Sequence, residues 1–310
     1  MINGIDEKDF QKYLVESEPV VKMMPLGAWD QEIKELLRHG ERLQGACLPW
    51  VKTHENIRFR GGDVTLWQGM TGHGKSQVLG QASVGFAAQG EKVCIASFEM
   101  QPTMTANRLL RQIGGVAQPS EEFIDEMLDW CDDRIWIYNH VGSVTPENVY
   151  AAIRYAAQDL KCKHFVVDNL MKCVRDEEDR TGQKMFVDKM TELAQGLDIH
   201  IHLVHHVRKG VSEYVMPGIF DARGSGTIVD QVSQLLTVFR NREKEDKLIA
   251  NPEDPKFKDA PDCIISCGKH RHGSWQGVIN LWFRPDCLFY APDSRCRHYD
   301  IRNPKLYGLG

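Results

Sequence analysis

Gly69-Met70-Thr71-Gly72-His73-Gly74-Lys75-Ser76 fills every fixed position of G-x-x-x-x-G-K-[ST], the phosphate-binding loop. Asp63-Val64-Thr65-Leu66-Trp67 before it reads as a short buried strand. Ser76 to Gln89 after it reads as a helix ended by Gly90. Strand, glycine loop and helix start are the setting the motif needs. The glycines let backbone N–H groups close around a phosphate, and the helix start adds partial positive charge. In this reading Gly69, Thr71, Gly72, His73, Gly74, Lys75, Ser76 and Gln77 surround a nucleoside triphosphate. Lys75 reaches the β and γ phosphates, and the Ser76 hydroxyl ligates Mg²⁺. A glycine-rich turn before an ordinary core helix is the plainer alternative, and the complete motif in its setting argues against it.

Outward from the loop, strands and helices alternate, as in a parallel sheet with crossover helices. Val93 to Phe98 is a strand ending in Glu99, and Thr103 to Ile113 a helix stopped by Gly114-Gly115. Ser120 caps a helix over Glu121 to Cys131, Arg134 to Tyr138 is a strand, and Thr145 caps a helix opened by Pro146. His164 to Val167 is a strand ending in Asp168. The charged stretch Arg175 to Gln183 reads as a loop before a helix at Lys184 to Gln195, and Ile199 to Val204 is a strand. A polar loop from Arg208 to Ser225, a short helix at Thr227 to Ser233 and a strand at Leu235 to Phe239 follow. Asn241 to Asp259 reads as a mobile surface loop, and Cys263 to Tyr290 as strands separated by turns at Gly273 and Pro285. Toward the N-terminus, residues 5 to 16 look like a short amphipathic helix, and Asp30 caps a second one over Gln31 to His39. Residues 1–60 thus read as a helical linker or subunit-docking segment, and 61–310 as the catalytic core.

Composition narrows the class. Of 310 residues, 42% are hydrophobic and 26% charged, which is globular, and no apolar run approaches the ~18 residues of a membrane helix. Met1 to Glu18 has neither the apolar core of a secretion signal nor the basic character of a transit peptide. Nine cysteines, an odd number and scattered, imply reduced thiols and a cytoplasmic location. Cys263, Cys267 and His270 lack the second ligand pair that a zinc site needs. The net charge of −5 means that any nucleic-acid contact must come from a local patch.

Two carboxylates complete the candidate chemistry. Asp168 ends an apolar strand roughly ninety residues past the loop and suits the carboxylate that holds Mg²⁺ through water. Glu99 ends the strand after the loop helix and suits the group that orients an attacking water, a helix-capping acid being the alternative.

The ordered motifs resemble the hexameric replicative helicases of the DnaB and Twinkle type, built on a RecA-like P-loop NTPase core with a central, mostly parallel sheet. Ala96-Ser97-Phe98-Glu99-Met100, with the Arg108-Leu109-Leu110 helix, is similar to the family's strand bearing the catalytic glutamate. Val166-Val167-Asp168-Asn169-Leu170 is similar to its Walker B strand. Leu203-Val204-His205-His206-Val207-Arg208-Lys209 resembles the γ-phosphate sensor segment. Aligning the basic pair puts His206 in the sensor role, and His205 then faces the other side of the strand. Ala222-Arg223-Gly224-Ser225-Gly226 resembles the R-G-S-G element after the DNA-contacting loop. Lys269-His270-Arg271 is similar to the family's K-x-R, in which the Arg acts as a finger on the neighbouring subunit's nucleotide and the Lys accompanies it.

The resemblance implies an ATP- and Mg²⁺-dependent helicase, a homo-oligomer, most simply a hexamer, that moves 5′ to 3′ on single-stranded DNA. Catalytic roles fall to Glu99, Lys75, His206, Arg271 and Lys269, metal support to Ser76 and Asp168, and DNA contact to Arg208, Lys209, Arg223 and Gly224. A primase and a DNA polymerase are the implied partners, and the small size suggests a phage or mobile-element protein. The Walker B tail Met171-Lys172-Cys173-Val174 departs from the family by lacking its usual Gln. Tyr214 is a candidate for stacking on a base, packing being the alternative. A filament-forming recombination ATPase and a helicase-loader-type nucleotide switch are the rival readings.

Overall fold

The computed structural model describes residues 25–39, 44–174, 179–207, 212–221 and 226–309. Its strands are β1 (Val64–Gly69), β2 (Val93–Ser97), β3 (Ile135–Ile137), β4 (His164–Asp168), β5 (His200–His206), β6 (Gln234–Arg240), β7 (Cys263–His270), β8 (Val278–Arg284) and β9 (Phe289–Ala291). They form one sheet in the order β3-β2-β4-β5-β1-β6-β7-β8-β9. β3 through β6 in that order are mutually parallel, and β7, β8 and β9 add on antiparallel. β1 lies in the middle and is buried along its whole length, as befits a strand covered on both faces.

The helices are α1 (Asp30–His39), α2 (Lys75–Ala88), α3 (Pro102–Gly114), α4 (Glu121–Cys131), α5 (Pro146–Gln158), α6 (Arg180–Leu197), α7 (Gly226–Gln231) and α8 (Arg242–Ala250). Two apolar layers flank the sheet. One gathers Trp50, Phe59, Trp67, Phe86 and Phe289, and the other Phe98, Phe165, Phe186 and Met190. Helix starts follow their capping residues: Ser120 Oγ accepts from Phe123 N at 3.3 Å, and Thr145 Oγ1 from Asn148 N at 3.4 Å. No helix among the described residues is long and apolar enough to cross a membrane.

Three local expectations need correction. Asp30 is the first residue of α1 and not its cap; its dihedrals are helical and its carboxylate takes the Lys34 ammonium at 2.5 Å. α6 starts at Arg180, ahead of the expected Lys184, because Asp179 accepts from Gly182 N at 2.8 Å and opens the helix inside the charged stretch. Asn241 to Asp259 is not all loop, since Asn241 caps α8 through Lys244 N at 3.1 Å. α8 carries no apolar stripe, and Ile249 is 82% exposed. It is held through charge, with Glu245 taking Arg240 at 2.5 Å and Arg242 at 3.3 Å, so hydrophobic periodicity could not reveal it. The helix expected over residues 5 to 16 lies outside the described residues.

The segment before β1 is part of the packing. Leu48, Trp50, Ile57 and Phe59 are each at most 1% exposed, and the Trp50 indole N–H donates to Tyr290 O at 2.8 Å.

Under α2 the core is polar as well as aromatic. His164, His200 and His202 are buried against Phe86 and Phe59. His202 Nδ1 accepts from the Trp67 indole N–H at 3.2 Å, so its Nε2–H donates to His164 Nδ1 at 3.0 Å. His164 Nε2–H then donates to Glu91 Oε2 at 2.7 Å. His200 Nδ1–H donates to Arg60 O at 2.7 Å. Burial, then the neighbouring histidine His164, lowers the pKa of His200 to about 3, and burial, His200 and His164 depress that of His202.

Both histidines are therefore neutral in the fold and would take up a proton on unfolding below about pH 6.5, their ordinary value. Stability from this source is complete above that pH and is lost as the pH falls toward the folded values, by about 1.4 kcal/mol per pH unit for each histidine. Urea denaturation should give a lower unfolding free energy at pH 5.5 than at pH 7, and His200→Gln should remove about 1 kcal/mol of that difference. Equal stability at the two pH values would refute the neutral network.

Candidate active site

Glycine is required where the loop turns. Gly72 and Gly74 have φ of 79° and 85°. A Cβ on Gly74 would lie 2.3 Å from the Tyr290 hydroxyl, and one on Gly69 would lie 2.4 Å from Val238 O. β6 and β9 thus press the loop into shape from behind. His73 turns into the protein, where its Nδ1 accepts from Arg240 N at 3.2 Å and its ring meets Phe239 edge-on at 5.6 Å. Burial, then Lys75, Arg242 and Arg240, lowers its pKa to about 4, so it is a neutral peg whose side chain faces β6.

Lys75 and Ser76 open α2. The Lys75 ammonium is 5% exposed and donates to Gly69 O and Met70 O, each at 2.9 Å. Desolvation lowers its pKa to about 8, against the pull of Asp168 and Glu99. A phosphate at this point would offset that desolvation. Asp168 ends β4 and is buried, which raises its pKa, and the Ser76 hydroxyl donates to it. A carboxylate and a hydroxyl side by side are hard oxygen donors of the kind Mg²⁺ takes together with phosphate and water, so the residues present fit that ion.

Glu99 lies two residues past Ser97, which pairs with Asp168 across β2 and β4. His206 lies opposite Gly69 in the β1–β5 register. His206 Nδ1 lies 3.3 Å from Thr71 Oγ1 and 3.3 Å from Lys75 Nζ, while His205 points to the other face and is buried. The residue that ties these groups together is Asn169, for which the sequence suggested no role. Its Oδ1 accepts from Met171 N at 3.0 Å, which orients the amide. Its Nδ2 then donates to Glu99 Oε1 at 2.7 Å and to His206 Nε2 at 2.9 Å. Because His206 Nε2 accepts, a neutral His206 carries its proton on Nδ1, on the side of the phosphate loop. His206 Nε2 stands 3.8 Å from Glu99 Oε1. His206 when its ring is protonated, and then the Asn169 amide, hold the Glu99 pKa below its usual value, so the group stays a carboxylate.

A cleft of about 290 Å³ opens beside the loop between Gly72, Gly74, Arg240, Phe283, Pro285 and Tyr290. Neither Arg240 nor Tyr290 belongs to a motif, and only the sheet order brings them here.

The K-x-R residues lie elsewhere. His270 pairs with Gln234 at the start of β6, and Gln234 pairs with Thr65 at the start of β1. Lys269 Nζ donates to Val229 O and Asp230 O at 2.8 Å each, and Arg271 Nη2 reaches toward Gln231 O at 3.5 Å. They occupy the edge of the sheet opposite the chain's own phosphate loop. Arg208, Lys209, Arg223 and Gly224 lie outside the described residues. Tyr214 is exposed, and its hydroxyl donates to Asp246 on α8 at 2.8 Å.

The sequence matches the AAA domain family over residues 54–212. In three dimensions the chain is similar to the ATPase domain of G40P, with a TM-score of 0.71 at 15% identity, over 85% of this chain and 96% of that one. It is also similar to a DnaB-like replicative helicase described with its interactions with primase, with a TM-score of 0.69 at 14% identity, over 87% of this chain and 67% of that one. The fold is thus the RecA-like P-loop NTPase fold.

Replacing Asn169 by Ala removes one donor from Glu99 and the constraint on the His206 tautomer. Nucleotide hydrolysis should fall by roughly 10- to 100-fold in kcat with KM little changed, and the acid limb of its pH profile should move up. A variant that lost nucleotide affinity but kept kcat and the profile would show Asn169 to be structural only.

Proposed function

We propose, from the premise that the chain belongs to the AAA domain family, that it is an ATP-driven DNA helicase working as a homo-oligomeric ring. The observation that carries this reading is the division of the catalytic set. Lys75, Ser76, Asp168, Glu99, Asn169 and His206 converge at one edge of the sheet, and Lys269 and Arg271 stand at the other. A finger at that edge is idle in a monomer and useful only on another copy's nucleotide.

In this reading Lys75 and the loop N–H groups hold the β and γ phosphates, and Ser76 and Asp168 hold Mg²⁺. The metal, when bound, neutralises phosphate charge and orients the transferred group. Glu99 accepts a hydrogen bond from the attacking water and orients it in line. His206 donates Nδ1–H to the γ-phosphate and passes its state to Glu99 through Asn169. Arg271 of a neighbouring copy, with Lys269 beside it, neutralises the charge that spreads over the γ-phosphoryl oxygens, an effect worth roughly 10³–10⁵ in rate. The Arg240–Tyr290 cleft takes the base.

Within residues 1–60 it is the part ahead of the core-packed Leu48 to Phe59 that would dock one core on the next; Leu26, Trp29 and Leu37 on and before α1 are 77%, 45% and 81% exposed, which suits a partner's surface. Single-stranded DNA would be gripped by Arg208, Lys209, Arg223 and Gly224, in a cytoplasmic, hexameric motor moving 5′ to 3′. A primase is the partner to test first, and a phage origin follows the same reading.

Unwinding of a forked duplex should require ATP and Mg²⁺, and Arg271→Ala should remove nearly all of it. Doping the variant into wild type should depress activity more steeply than simple dilution. Linear dilution, or turnover without unwinding, would count against the ring motor, the latter favouring a filament-forming ATPase.

A further inference from the structure

The end of β7 carries two functions on its two faces. Lys269 and Arg271 turn toward α7, and His270 and His272 turn the other way, as strand alternation dictates. On that second face the segment before β1 alternates too. Ile57 and Phe59 are buried in the core, while Arg58 and Arg60 project outward toward the histidines. Between them lies a cavity of about 330 Å³, lined also by Trp275 and Glu55. We propose that this cavity binds a phosphate-bearing nucleotide, separately from the phosphate loop.

Its position separates it from the site described above. Thr65 is in register with Gln234, and Gln234 with His270, so roughly 13 Å of β1 lies between this edge and the loop that follows Gly69. One chain's nucleotide cannot span both.

The walls are held in place before any ligand arrives. Arg58 O accepts from Gln234 Nε2 at 2.6 Å, and Arg60 O from His200 Nδ1 at 2.7 Å, so both arginines are anchored at their main chain. The Arg58 guanidinium also touches Cys47 Sγ. Gly273 turns tightly over His270, where a Cβ would meet the imidazole at 2.7 Å. Behind His272, Asp63 Oδ1 accepts from Ser233 Oγ at 2.5 Å and from His272 Nε2 at 3.1 Å.

The chemistry left facing the cavity suits an anion. Burial, then the charges of Arg60 and His272, hold the His270 pKa below its usual value against the pull of Asp63, so the ring is neutral and the positive charge at the cavity rests on the arginines. Two polar atoms of residues lining the cavity, Arg58 Nε and His270 Nδ1, are buried without a hydrogen-bond partner. Paired guanidiniums match phosphate oxygens, and a half-buried indole gives a base a face to stack on. The volume takes a single nucleotide. Such a nucleotide is either free or the terminal unit of a strand, and the chemistry is the same for both.

The test uses the full chain carrying Lys75→Ala, so that the phosphate loop does not compete. Titration calorimetry would follow dTMP, a 5′-phosphorylated thymidine tetranucleotide and inorganic phosphate. Saturable binding of the nucleotides is expected, weakened about tenfold or more by Arg60→Gln and partly restored by Arg60→Lys. Trp275→Ala should weaken the nucleotides and spare inorganic phosphate. Equal affinity for dTMP and the tetranucleotide identifies a free nucleotide, and much tighter binding of the tetranucleotide identifies a strand end. Absence of saturable binding at millimolar concentration, or binding indifferent to Arg60→Gln and Trp275→Ala in variants with unchanged melting, would overturn the proposal.

Discussion

The pairing of Gly69 with His206 across β1 and β5 is the constraint on which the site depends. Side chains alternate along a strand, so a slip of one residue would send His206 into the opposite layer and bring His205 to the loop. Nothing local prevents that slip, because both residues are histidines on one apolar strand. The buried faces prevent it. His200, His202 and Val204 share the face of His206 and pack under α2, while Ile201 and Leu203 fill the other layer. The order of the core thus becomes the position of a catalytic side chain.

The same economy explains why the phosphate loop needs the end of the chain. Gln81 on α2 exchanges hydrogen bonds with the main chain of Tyr290, donating to its O at 3.0 Å and accepting from its N at 2.8 Å. Trp50 adds a donor to the same carbonyl. The Tyr290 hydroxyl in turn stands where a side chain at Gly74 would be. Segments from the start, middle and end of the chain therefore meet behind one loop, and the loop keeps its shape by being hemmed in. The buried histidine network beneath α2 contributes a second kind of order. It is directional, each ring fixing the proton position of the next, whereas apolar packing alone would leave several arrangements close in energy.

Much of this was legible in the chain itself. The phosphate loop, the strands ending at Glu99 and Asp168, and the caps at Ser120 and Thr145 rest on short-range chemistry: glycine torsions, local hydrogen bonds and apolar runs. The resemblance of the ordered motifs to replicative helicases agreed with the fold. α8 escaped, because its reasons for being helical are charge pairs and a cap, and these leave no apolar period.

What the sequence determined by itself was which residues could do chemistry and which segments were strands, helices and turns. What only the tertiary structure decided was adjacency. Asn169 is an ordinary residue after a strand until β2, β4 and β5 lie side by side and its amide meets both Glu99 and His206. Arg58 and His270 are more than two hundred positions apart in the chain, yet they share a wall because β7 joins the sheet antiparallel beside β6. Contacts of that range are set by how strands are ordered and paired, a property of the whole packed sheet that no local stretch encodes.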